Sequence, residues 1–281
     1  MLLTILSTLL LAIPSPAQDT LVSLAAGDRL VLGDISGFVA VSSWEEDALK
    51  IRTDRLDDTE IQILRHGNRL ELRLLDRKGR VRPMDLDLRV PAWMGLEMSG
   101  RDLEVDIRDL EGEVKVRSLD GDLFFRNLSG LLEAASVQGS IEARGLHGVA
   151  RLRTGHDDVT VDGASGSLSI ETISGDLELQ DMAAMVLEAR TTSGDVDFQG
   201  RFSREGEYTF RSHDGDLTLS IQEPVELDVS VLVYSGEFHS DFPVRAESFR
   251  SGRALRFTLG DGGGSLMLET FDGDIEIRRR R

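Results

Sequence analysis

The chain repeats itself every eighteen residues over its middle, and that period decides what it can fold into. With Gly121, Gly139, Gly175 and Gly194 as anchors, and Asp157 in the slot between the second and third, the spacings are 18, 18, 18 and 19 residues. Gly215, Gly236 and Gly273 extend the series after intervals of 21, 21 and 37 residues. A fixed period of this size belongs to a stacked repeat, in which each unit buries its apolar face only against its neighbours. Half-period glycines at 112, 130, 148 and 166 divide each unit into two nine-residue pieces. A unit therefore reads as two short strands and two turns. The fold class that follows is all-β: a single-stranded β-solenoid, or β-helix-like stack, of two-strand coils of about 18 residues.

The columns of the repeat support this reading. Two residues past each anchor stand Leu123, Ile141, Val159, Leu177, Val196, Leu217, Phe238 and Ile275, without a polar exception. Two further on come Phe125, Ala143, Val161, Leu179, Phe198, Leu219, Ser240 and Ile277. Five before the anchor lies the matching row of the other strand, Val116, Ala134, Leu152, Ile170, Ala189, Phe210, Val231 and Leu268. Residues two apart share one face of a strand, so these columns predict a two-sided core. Equivalent slots stack about 4.8 Å apart, and each coil covers the apolar edge of the one below.

The corner has its own chemistry. Three residues before the anchor run Ser118, Ser136, Thr154, Thr172, Thr191, Ser212, Val233 and Thr270. Strand parity points them inward, where a hydroxyl can satisfy buried backbone groups of the turn. At the anchors Gly121, Gly139, Gly175, Gly194, Gly215 and Gly273, glycine permits a positive φ. Asp122, Asp158, Asp176, Asp195, Asp216 and Asp274 follow, placed to accept bonds from nearby amides in Asx-type turns. All twelve are read as structural turn residues.

Outside the repeats, residues 18–95 alternate apolar and polar without the glycine-aspartate period, and His66-Gly67-Asn68 marks a turn between two strands. This segment is expected to start the stack and cap its open end. No Ser- or Pro-rich linker intervenes, so residues 18–281 read as one elongated domain, 18–95 less regular and 96–281 in repeat coils. The first seventeen residues, MLLTILSTLLLAIPSPA, form a short apolar run with small residues at its end, which predicts a secretory signal cut between Ala17 and Gln18. No basic residue precedes the run. The alternative, an N-terminal membrane anchor, is opposed by its length, since a span needs about 20 apolar residues. No later segment is apolar enough to span, and without a cysteine the chain carries neither a lipoprotein attachment site nor a disulfide. The expected location is outside the cytoplasm, in the periplasm or at the cell surface.

The order of these pieces resembles a known group, the bacterial exported "putative adhesin" family of unknown function, also described as toast-rack-like domains. The resemblance is carried by "GFVAVSSWEEDALKI", by "LRVPAWMGLEMSG" entering the repeats, by serial "SGDLEL" units and by the closing "GDGGGSLMLETFDGDIEI". It covers nearly the whole chain after the apolar run. Asp157 in a glycine slot, "SVQGSIEA" without the aspartate, and "DMAAMVLEA" depart from the pattern and mark less regular coils. The resemblance implies a stacked, non-enzymatic envelope domain, with relatives in envelope-stress signalling.

Chemistry-bearing residues are sparse. A glycine-aspartate period is similar to that of calcium-binding β-rolls, yet each corner offers about one carboxylate, a thin shell for an ion that takes six to eight oxygens. The turn role is preferred, and no metal or cofactor is expected. His66, His147, His156, His213 and His239 lack a ligand spacing. The acid pairs Asp157-Asp158 and Glu45-Glu46 are expected by chance in this composition. The insertion at 240–263, with Arg245, Arg250, Arg253 and Arg256, reads as a loop capping the stack, and Arg278 to Arg281 as a solvated tail. Few aromatics give a sugar-stacking platform little support. A formal charge of −18 repels nucleic acid and anionic lipid. These features predict a non-catalytic binding or scaffold module whose partner is a protein or a cell-surface polymer. The alternative is a polysaccharide-active β-helix enzyme, a lyase or hydrolase.

Overall fold

The computed structural model describes residues 20–53, 59–76, 83–244 and 254–280. The expected signal, with Ala17 and Gln18, and the arginines at 245, 250, 253 and 281 lie outside the described residues. Among those described, every regular element is a strand. The N-terminal region holds β1 (Thr20–Ser23), β2 (Arg29–Trp44), β3 (Ala48–Thr53), β4 (Thr59–His66), β5 (Arg69–Asp76) and β6 (Leu86–Pro91). The repeats supply β7 (Gly95–Leu110), β8 (Val114–Asp120), β9 (Leu123–Gln138), β10 (Ile141–Arg153), β11 (Val159–Glu171), β12 (Leu177–Arg190) and β13 (Val196–Gly200). The C-terminal region adds β14 (Glu207–Asp214), β15 (Leu217–Gln222), β16 (Leu227–Ser235), β17 (Phe238–Ser240), β18 (Leu255–Leu259), β19 (Gly264–Asp272) and β20 (Ile275–Arg280).

Successive coils pair in parallel with the register the period dictates: Leu123 lies beside Ile141, Ile141 beside Val159, and Val159 beside Leu177. These side chains are at most 1 % exposed. Burying one such side chain stabilises by about 1.5–3 kcal/mol, more than a neutral hydroxyl–carbonyl corner bond of about 0.5–1.5 kcal/mol, so the inward columns hold the fold. The coil differs from the expected pair of short strands in one respect. β9 to β12 each run unbroken through the half-period corner, because that corner is a bend within a strand. Asp109, Asn127, Gly145, Gly163 and Asp181 take positive φ there, from 48° to 74°. Asp and Asn tolerate this left-handed conformation better than most side chains, and Gly adopts it freely. The next residue in each coil, Leu110, Leu128, Leu146, Ala164 or Met182, then turns into the core. The irregular "DMAAMVLEA" is a bulge: the pairing shifts between Gly166 and Ser167, leaving Met185 as the extra residue of the one 19-residue interval.

At both ends, chain order and spatial order part company. At the C-terminal end the expected continuation of the series by Gly215, Gly236 and Gly273 is not sequential. β19 lies between β14 and β16, and β20 lies between β15 and β17. The final coil has slid inside the one that precedes it in sequence. β18, from the 240–263 insertion, runs antiparallel along β16 and closes this end, so its described part is a cap as expected. The N-terminal end repeats the arrangement. β2 is covered on one side by β7 and on the other by β5 and β6, while β4 and β3 run antiparallel outside those two and β1 lies beyond β3. The first segment thus both enters and caps the stack, and β4 and β5 form the hairpin expected about His66-Gly67-Asn68. The expected solvated tail is corrected too: Arg278, Arg279 and Arg280 belong to β20 and pair with Glu276, Glu223 and Asp181.

The anchors need glycine chiefly for close approach. A Cβ on Gly194 or Gly215 would collide with the carbonyl oxygen of the anchor one coil back. Gly121, Gly139, Gly194, Gly215 and Gly273 also have positive φ, but Gly175 does not, so the conformational argument fails there and the contact argument survives. Asp157 fills its glycine slot by lending its carboxylate to the Gly139 amide at 2.8 Å.

Candidate functional site

The corner columns are the first place to look for a site, and they are occupied with one another. Thr154, Thr172, Thr191, Ser212 and Thr270 are buried, and each donates its hydroxyl proton to the anchor carbonyl of the coil beneath, at 3.0 to 3.3 Å. Ser136 donates likewise to Gly121, and Ser118 to Asp120. The inward hydroxyl column behaves as expected.

The aspartates behave differently. Their bonds run between coils, where local Asx turns were expected. Asp122 accepts from the amide of Ser140, Asp158 from that of Asp176, Asp176 from Asp195, and Asp195 from Asp216, at 2.7 or 2.8 Å. Asp216 accepts from Asp274 and Asp274 from Glu237, so the ladder follows spatial order through the interleaved end. The reason is spacing: coils about 4.8 Å apart bring the next amide within reach of an extended carboxylate. Neighbouring carboxylates about 5 Å apart repel by about 1 kcal/mol in water, and a charge-assisted hydrogen bond of about 1.5–3 kcal/mol outweighs that. The ladder holds itself without a cation. Among the described residues no three His, Asp or Glu side chains converge as metal ligands.

Four carboxylates are biased toward the charged form. Glu71, Asp106, Glu113 and Glu276 are held below the ordinary carboxylate range by hydrogen bonds from Arg73, Arg108, Lys115 and Arg278 respectively. That shift keeps them ionised, opposite to the raised value a general acid needs. Burial pushes Tyr208 up, and its hydroxyl accepts from the Ser203 amide and donates to the Ala184 carbonyl. The histidines are exposed and scattered. His147 meets Ser165, His156 the Val137 carbonyl and His239 Glu237, while His66 ends β4.

What the corner does present is an apolar row on its outer side. Two residues before each anchor, in spatial order, stand Leu119, Val137, Gly155, Ile173, Thr192, His213, Phe271 and Tyr234. Leu119, Val137, Ile173, Phe271 and Tyr234 are 44, 44, 57, 51 and 44 % exposed. Interleaving of the last coil brings three rings together: Phe271 stacks on His213 at 4.8 Å and lies 5.3 Å from Tyr234. A low aromatic count did not foretell this cluster. Carboxylates of Asp214, Asp216, Asp272 and Asp274 follow it on the anchor side, and the Arg211–Glu269 ion pair, at 3.1 Å, precedes it on the other. Single exposed apolar residues need no explanation, but five along one corner, interrupted only by Gly155, Thr192 and His213 and bordered by charge, mark a candidate interaction surface. The sequence held the signal, since five of the eight residues in this column are apolar at a position strand parity turns outward.

A second concavity, a cleft of about 980 Å³, opens at the C-terminal end between Pro224, Phe242 and Phe257. Arg279 sits 5.0 Å from the Phe242 ring centroid and pairs with Glu223, so its charge is already answered. No described helix is long and apolar enough to cross a membrane.

The comparisons bear on the whole chain. The family model described as Toastrack DUF4097 matches residues 39–278. Among solved structures, a "putative adhesin" from Bacteroides fragilis NCTC 9343 is 12 % identical, covering 94 % of this chain and 97 % of that one, with a TM-score of 0.44. A "putative lipid binding protein" from Parabacteroides distasonis ATCC 8503 is 11 % identical at 94 % and 97 % coverage, with a TM-score of 0.44. A "putative cell adhesion protein" from Clostridium sporogenes ATCC 15579 is 10 % identical at 94 % and 100 % coverage, with a TM-score of 0.27. No curated protein matches the sequence.

Proposed function

The chain belongs to the Toastrack DUF4097 family, and from that premise we propose that it is a non-catalytic binding module, exported to the cell envelope, that docks a protein partner along its apolar corner. The observation that carries this is the exposed row from Leu119 to Tyr234, held rigid by the hydroxyl and aspartate ladders just beside it. An apolar strip with carboxylates on its anchor side and Arg117, Arg153, Arg190 and Arg211 in the column before it suits a partner that offers an apolar strip with charge of both signs beside it. The finer role is a binding or scaffold part in envelope-stress signalling, in which related toast-rack domains occur.

The test compares the purified protein with an Ile173→Asp/Phe271→Asp double variant for binding to isolated bacterial envelope material. The native protein should be retained and the variant released, with unchanged circular dichroism. Equal retention of both would remove the corner from the reading. Turnover of uronate-containing or neutral glycans, abolished by a single carboxylate substitution, would replace the binding module with the polysaccharide-active alternative.

A further inference from the structure

On one flat face of the stack, neighbouring strands place their side chains in a small grid. β8 offers Lys115 and Arg117, β9 offers Glu133 and Ala135, and β10 offers Arg151 and Arg153, with Lys115, Glu133 and Arg151 in one row and Arg117, Ala135 and Arg153 in the next. The first row is complete. The Glu133 carboxylate stands between two cations, 3.0 Å from Arg151 and 3.8 Å from Lys115. In the second row the same central position carries a methyl group. Arg117 and Arg153 flank it across two strand spacings, roughly 9–10 Å, and a hollow of about 150 Å³ lies over Ala135. Arg153 is engaged on its far side by Glu171 at 3.2 Å, with both side chains more than half exposed, whereas Arg117 has no ion pair or hydrogen bond among the described residues.

We propose that this hollow is an oxyanion site for a phosphate group, held between Arg117 and Arg153 in the place that a carboxylate takes in the neighbouring row. The row of Glu133 shows that an anion at this depth meets cations from both adjacent strands. Arg117 offers a guanidinium fork unpaired among the described residues and Arg153 the donors that its Nε contact with Glu171 leaves over, and the peripheral oxygens of a phosphate match them. The floor of small side chains leaves room for the group to sit between the arginines. The charge of the rest of the chain opposes distant approach, but it is screened beyond about 10 Å at 0.1 M salt, so the nearby cations govern the bound ion. The site lies on the flat face beside the Leu119 end of the apolar corner, Arg117 standing two residues before Leu119, and rests on different residues from the docking reading.

The test is a titration of the full chain with inorganic phosphate at about 0.1 M ionic strength, followed by amide chemical shifts. Saturable shifts confined to residues 115–117, 133–135 and 151–153 are expected. Arg117→Gln should weaken binding about tenfold, the scale of one lost charge-assisted contact. Ala135→Glu, which supplies the missing carboxylate, should abolish it. Should Ala135→Glu fail to fold, Arg117→Gln and Arg153→Gln decide. Absence of saturable shifts, or binding unchanged in these variants, overturns the site. Tighter binding of inorganic polyphosphate than of the single ion would identify a polymer-borne group as the occupant, and equal binding would identify the free ion; either upholds the site. Corner variants should leave the titration unaltered, which separates its failure from that of the docking surface.

Discussion

The coils between Leu103 and Gly200 and those after Arg201 are built from the same columns, yet they are assembled by different rules. In the first set each coil rests on the one just made, with interchangeable aliphatic side chains stacked inside. In the second, β14 and β15 find their next neighbours only after β16, β17 and β18 have been laid down, because β19 and β20 must enter between. An aromatic cluster marks the border: Phe198 stacks on Phe202 at 4.7 Å and meets Phe210 edge-on at 5.2 Å, and Phe202 meets Tyr208 at 4.4 Å. Local stacking makes the first region modular. Interleaving makes the second depend on residues distant in the chain, and such contacts carry a larger loop-closure cost.

The sharpest way to break the comparison is to remove about one coil from each region. Excising residues 141–158 rejoins the chain in register, since Leu123 would then rest on Val159; a folded protein with a smaller urea m-value is expected. Deleting residues 264–281 should leave β15 and β16 facing a gap and cost cooperative unfolding at that end, read by hydrogen exchange over 201–244. Comparable behaviour of the two deletions would dissolve the distinction. Next in size, Phe198→Ala should cost about 3–5 kcal/mol in chemical denaturation, because the ring lies in the border cluster and leaves a cavity the stiff strands cannot close. Gly194→Ala, which drives a methyl group into the Gly175 carbonyl, should cost about 3 kcal/mol, against about 1 kcal/mol for Gly27→Ala, where φ is 87° but no atom lies within 4 Å.

Smaller effects sharpen the picture within the regular coils. Thr172→Val keeps the shape and removes the donor to Asp157, at a cost of about 1 kcal/mol by denaturant midpoint. The smallest change is with pH. Asp106, held low by its hydrogen bond to Arg108 and by the charges of Arg108 and Arg126, gains stability from folding that is present above the ordinary aspartate range and lost as pH falls through its depressed value. Asp106→Asn should therefore be less stable than the native chain near pH 7 and lose less stability on acidification, measured by urea midpoints at both pH values.

How much of this was legible follows from what a column of residues can encode. The inward rows, the buried hydroxyls and the strand register were readable because alternation and period fix which side of a coil each residue faces. The positive-φ column was hidden because Asp109, Asn127, Gly145 and Asp181 look unlike one another and share only tolerance of one backbone conformation. Spatial order at the ends was hidden for a deeper reason. Gly236 and Gly273 obey the same column rules whichever lies outermost, so nothing local distinguishes sequential stacking from interleaving. The phosphate hollow was equally out of view, since Arg117, Ala135 and Arg153 become neighbours only after the register is known, and the outward apolar row is broken by Gly155, Thr192 and His213, which blur its pattern.

The antiparallel strands at the two ends carry one more implication. A parallel ladder with bare rims is a seed onto which further molecules can add, and fibres grow that way. Here β4 at one extremity and β18 at the other run against the grain of the coils they cover. A second molecule arriving with parallel coils finds no matching rim on β4 or β18, although the interior of the stack is an open-ended pattern.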